Sequence, residues 1–145
     1  MSRFLIVSLL AACAIASVLT AAHSSQSTSM AGDRANASKA TIEGLVRDVA
    51  CPIQNLDGTA TNLSLKCVRE CVRGGSPLVI LTKDGHLFFP ISDKMPDTDQ
   101  RQELMPFVGK YVRASGTVFE RTGTHAIVIT EIKEMKEIHL TIDGQ

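Results

Sequence analysis

The sequence predicts a mainly β domain of five strands with two short helices, and three observations carry that prediction. Asp84-Gly85 and Thr122-Gly123 are turn pairs, each set between stretches rich in β-branched and large apolar residues. The segment from Gly109 to Glu120 alternates, with Val112, Ala114, Gly116 and Val118 on one face. Helical spacing with a capping residue is confined to two short segments, one opening at Asn62 and one at Asp97.

Taken in order, the first strand spans Thr41 to Ala50. Ile42, Leu45, Val46 and Val49 also fit a helical stripe, but Gly44 is unfavourable inside a helix and useful at a bulge, so the segment reads as strand. A long connection follows. Asn62 is placed to cap a helix running to about Arg73, in which Leu65, Val68 and Val72 share an apolar stripe. Lys66, Arg69, Glu70 and Arg73 fall on a polar stripe, and Cys67 and Cys71 stack on the flank of the apolar one. Gly74-Gly75 is the C-terminal stop. Pro77 to Thr82 is a buried strand, Lys83-Asp84-Gly85 a hairpin turn, and His86 to Ile91 the return, with Pro90 setting its end at a sheet edge or bulge. Asp97 to Met105 is the second helix, with Asp97 and Gln100 at capping-box spacing and Pro106 just past the last turn. Gly109 to Glu120 and His125 to Ile132 form the last hairpin. The tail 133–145 reads equally as a helical turn through Ile132, Met135 and Ile138 or as a strand over Ile138 to Ile142. Five strands, a helix between the third and fourth, and a helical, cysteine-bearing connection between the first and second make the order of an OB-fold, a small partly open Greek-key barrel.

Two stretches carry a resemblance. The hairpin from Phe107 to Val118 and Ala126 to Ile132 resembles the last two strands of exported bacterial OB-fold proteins. Gly44-x-Val46-x-Asp48-x-x-Cys51, Cys67-x-x-x-Cys71-x-x-x-Gly75-x-Pro77 and Asp84-Gly85 resemble an uncharacterised family of exported bacterial proteins with a Cys...Cys-x-x-x-Cys pattern. Together they span residues 41–132. Some members of that family carry a His shortly before the middle cysteine, where this chain has Ser64 and Lys66. The resemblance implies no established activity.

The N-terminus fits export. Met1-Ser2-Arg3 is a short basic region, Phe4 to Ala22 is uncharged and apolar, and Thr20-Ala21-Ala22 offers small residues for cleavage, so residues 1–22 read as a signal peptide. Two other readings stand beside it: an uncleaved anchor, and a lipoprotein modified at Cys13 after Leu10-Ala11-Ala12. Residues 23–40 are small and polar and read as a disordered leader, leaving an OB-fold domain at 41–132 and a C-terminal extension at 133–145. Of 15 Lys+Arg the signal removes Arg3, leaving 15 − 1 = 14 against 15 Asp+Glu, a formal charge of −1. That balance, with no Trp and one Tyr, excludes a nucleic-acid binder held by phosphate contacts, and no stable membrane insertion is expected after cleavage. No phosphate loop, Ser-His-Asp spacing or haem-attachment motif is present, so the chain carries no recognisable catalytic machinery. Asp93, Asp97 and Asp99 read as a solvated turn with a helix cap rather than a calcium site.

The chemistry lies in Cys51, Cys67 and Cys71, for which three readings remain open. One is a disulfide between Cys51 and either Cys67 or Cys71, stapling the first connection with a stabilisation of about 3 kcal/mol and serving a module that binds a protein or an oligosaccharide. It leaves one thiol without a role. The second is a soft-metal site: three sulfurs suit Cu(I), and three sulfurs with one nitrogen suit Zn, His86 and His125 being the candidate fourth ligands. The third is a thiol redox couple, which requires a low-pKa Cys67 or Cys71.

Overall fold

The computed structural model describes residues 36–55 and 59–142. The predicted signal peptide and most of the predicted leader lie outside them. Strand β1 (Ser38–Asp48) starts inside the stretch assigned to the leader and ends two residues short of Ala50. It is followed by β3 (Leu78–Thr82), β4 (Leu87–Pro90), β5 (Tyr111–Arg121) and β6 (Thr124–Glu134), with a minor strand β2 (Asn62–Leu63) in the first connection. The five main strands form a closed barrel in the order β1-β3-β4-β6-β5. All neighbours are antiparallel except β4 and β6, which run parallel. This is the OB-fold-like barrel the sequence predicts.

Closure depends on β1, which pairs with β5 over Ser38–Leu45 and with β3 over Gly44–Asp48. Gly44 sits in both registers, opposite Thr82 on one side and Val112 on the other. A Cβ there would stand 2.4 Å from the Leu81 carbonyl oxygen and 2.8 Å from Ile80 Cγ2. Close approach of β3, not a bulge, therefore requires glycine at this position; the irregularity of the barrel is the register shift between Ser115 and Gly116 on β5.

Pleating places Val46, Ile80, Val112, Ala114 and Ile127 in the core with no solvent exposure. Leu45, on the alternate face of β1, is buried too, in one cluster with its register partners Leu81 and Tyr111 and with Leu63 and Met135. The cover for that face comes from the connection and the tail. Strand β7 (Thr141–Ile142) pairs parallel with β2, and the Thr141 N–H donates to the Thr61 carbonyl at 2.8 Å. Beyond β6, which runs on past Ile132 to Glu134, the tail makes a turn closed by the Ile138 N–H on the Met135 carbonyl at 3.2 Å before the short β7, so each predicted alternative holds in part.

The second predicted helix is shorter than its spacing suggests. Helix α3 (Arg101–Leu104) passes into a 3-10 turn, Met105–Phe107, which contains Pro106 instead of stopping before it. Asp97 is not its cap: Asp97 Oδ1 accepts the Ser92 N–H at 2.7 Å, and Asp99 Oδ1 accepts the Arg101 N–H at 2.8 Å. The loop from Ser92 takes the carboxylate that the capping-box spacing reserved for the helix.

A three-cysteine cluster on the first connection

The connection from β1 to β3 carries all three candidate sulfurs. Asp48 ends β1 and its Oδ2 accepts the Cys51 N–H at 2.8 Å, which opens the single turn α1 (Ala50–Gln54). Cys51 lies in that turn, just past β1 and before Pro52. Helix α2 (Leu65–Arg73) presents Cys67 and Cys71. Its cap is Ser64, whose Oγ accepts from the Cys67 N–H at 3.4 Å; the predicted cap, Asn62, is drawn instead into β2.

Both ends and one face hold α2 in place. Val68 and Val72 are buried, as the predicted stripe requires. At the C-terminus the Ser76 N–H reaches the Cys71 carbonyl at 3.0 Å and the Gly75 N–H the Val72 carbonyl at 3.1 Å, a Schellman closure with Gly75 at φ 96°. Arg101 adds a clamp from α3, donating Nη1 to the Ser76 carbonyl at 3.1 Å and Nη2 to the Val72 carbonyl.

The result is convergence. Cys51 Sγ and Cys67 Sγ are 3.3 Å apart, and all three sulfurs lie within 4.8 Å of one another. A tetrahedral zinc site with Zn–S near 2.3 Å spaces its sulfurs by about 3.8 Å, a spacing of the same order as the trio's, so the three sulfurs could hold a metal ion. The 3.3 Å separation is well beyond a disulfide bond, and the three cysteines are free and half-buried. Burial, the Cys67 hydrogen bond and the Asp48 carboxylate push the Cys51 thiol up to about 12. Burial and the charge of Asp48 raise Cys71 as well. Raised thiols hold their protons at neutral pH, which is the opposite of what a nucleophilic Cys71 needs. A metal ion can still displace those protons.

The candidate fourth ligands are elsewhere. Asp48, at the cysteine end, pairs with Leu78 at the start of β3, whereas Gly44 pairs with Thr82 at its finish. His86 follows Thr82, so the run of β3, about 13 Å at the usual rise, separates it from the trio. There His86 Nε2 lies 3.4 Å from Asp84 Oδ2, and its ring meets that of His125 with centroids 4.5 Å apart. The set of ligand atoms that converges contains three thiols and no histidine. What sequence reasoning missed is Asp48: it is fully buried, and its Oδ1 has no hydrogen-bond partner. The Asp48-x-x-Cys51 spacing was the available signal.

A second feature adjoins α2 on its polar flank. Arg69, Arg73, Arg101 and Lys110 rim a cleft of about 600 Å³ floored by Val72, Met105, Pro106 and Val108. Among the described residues no helix is long and apolar enough to cross a membrane. No family model matches the chain, and the searches of curated proteins and of solved structures return no match.

Proposed function

We propose that this chain is an exported small binding protein that takes up one soft metal ion, Cu(I) or Zn(II), through Cys51, Cys67 and Cys71. The observation that carries the reading is the convergence of three unbonded sulfurs within 4.8 Å on a connection held at both ends of its helix. Export rests on the signal-like pattern of residues 1–22. Anaerobically reduced protein, loaded and then freed of excess metal, should retain about one Cu(I) or Zn(II) per chain, bound through three sulfurs. Retention of neither ion by reduced, folded protein would remove the metal reading.

A second reading has its own support. Cys51 and Cys67, at 3.3 Å, need little movement to join as a disulfide in an oxidising compartment. The protein is then a stapled OB-fold module, and the basic-rimmed cleft beside α2 is the surface on which a protein or an oligosaccharide binds. Thiol counting on protein from its native compartment separates the two: three free or metal-held thiols support the first, and one free thiol with a mapped Cys51 bond supports the second. N-terminal sequencing of that same material should begin near His23; a lipid-modified Cys13 would replace the cleaved-signal reading with an anchored one.

A further inference from the structure

The buried carboxylate at the end of β1 carries more charge than its structural role needs. Asp48 is fully buried, at the end of β1 in register with Leu78. Its Oδ2 holds the Cys51 N–H, and its Oδ1 has no partner. An unsatisfied buried carboxylate oxygen is expensive, and an asparagine or serine would hold the same N–H without the charge. Through that bond the carboxylate stands beside Cys51, 2.8 Å from its amide nitrogen, and its charge helps to raise the Cys51 and Cys71 thiols. Among the described residues no cation is recorded against it.

We propose that Asp48 is the selectivity residue of the thiolate site, making it prefer Zn(II) to Cu(I). This rests on the metal reading above and names which ion that site takes. The direction follows from charge. With three thiolates and the carboxylate beside them, a Cu(I) centre carries three net negative charges and a Zn(II) centre two, and the burial of Asp48 makes each extra charge costly. Asp48 acts from beside the trio and not as one of its ligands, because the ligand atoms that converge are the three sulfurs alone.

The test is a pair of metal competition titrations on the reduced protein, one with a Zn(II) chelator and one with a Cu(I) chelator, comparing wild type with Asp48→Asn. Asparagine keeps a carbonyl for the Cys51 N–H and removes the charge. The variant should lose about 10- to 100-fold in Zn(II) affinity, the range found when a metal ligand's supporting shell is removed. Its Cu(I) affinity should stay the same or rise, and retained Cu(I) binding also shows that the trio is still assembled. Equal losses for both ions, or no loss for Zn(II), overturn the selectivity assignment while leaving metal binding intact. A wild-type protein that takes up neither ion overturns the metal reading itself, and the role of Asp48 with it.

Discussion

Cys51 Sγ and Cys67 Sγ lie 3.3 Å apart across a separation of 16 residues. That closeness is built by Asp48 at one end of the connection and by the cap and buried stripe of α2 at the other. It makes the cysteines a unit that can be dissected one at a time.

Replacing Cys67 or Cys71 by Ser should abolish metal retention and leave the barrel folded. Neither side chain belongs to the buried core, so the loss of stability in the reduced, metal-free protein should stay below about 1 kcal/mol. Chelator competition and far-UV dichroism on the same samples check both halves. A variant that retains full stoichiometry would show that the site does not use that sulfur.

The metal-free protein should become less stable in alkali. The Cys51 thiol is raised from 9.0 to about 12, so between those values the unfolded chain gives up a proton that the folded one keeps. The native state then binds more protons, and stability falls as pH rises through that window, having been fully present below it. Cys71 and Tyr111, both raised by burial, act in the same direction. Urea midpoints across the window should fall less steeply for Cys51→Ser, since serine does not titrate there. Identical slopes would mean that the thiol is not held protonated by the fold.

Val68→Ala should weaken the site without touching a sulfur. Val68 is fully buried under α2, and removing two methyl groups from such a position costs about 2 kcal/mol. That loss falls on the element carrying two of the three thiols, so metal affinity and thermal midpoint should drop together. A drop in midpoint with unchanged affinity would show that α2 holds its cysteines independently of its packing.

Gly44→Ala should be among the most damaging small substitutions. The new methyl group meets the Leu81 backbone at 2.4 Å, and backbone cannot swing aside as a side chain can. A loss of about 1–3 kcal/mol or more is expected from overpacking at a strand pair. A thermal midpoint within a degree or two of wild type would show that β1 and β3 separate more easily than their pairing implies.

Barrel topology was readable because its signals are local. Asp-Gly and Thr-Gly turns fix two hairpins, and alternation around Val112 and Ala114 fixes which face turns inward. The cysteine helix was readable for the same reason, from Val68 and Val72. What failed depends on distant chain. Asn62 and Ser64 are both able caps, and only the pairing of Asn62 with Thr141 decides between them. His86 was a candidate on donor chemistry alone; its place after Thr82, with Cys71 before Leu78, sets the length of β3 between them. Asp48 looked like an ordinary acidic residue ending a strand; its burial follows from barrel closure, which no window of sequence contains.

The pairing of β2 with β7 orders events in time. Asn62 and Leu63 lead through the Ser64 cap into α2, yet their strand partners are Thr141 and Ile142, made long after the last of the three cysteines. A chain emerging from its N-terminus therefore presents its thiols to the surroundings before the strand that pins their connection exists. The connection that carries the cluster is complete only once the tail has joined it.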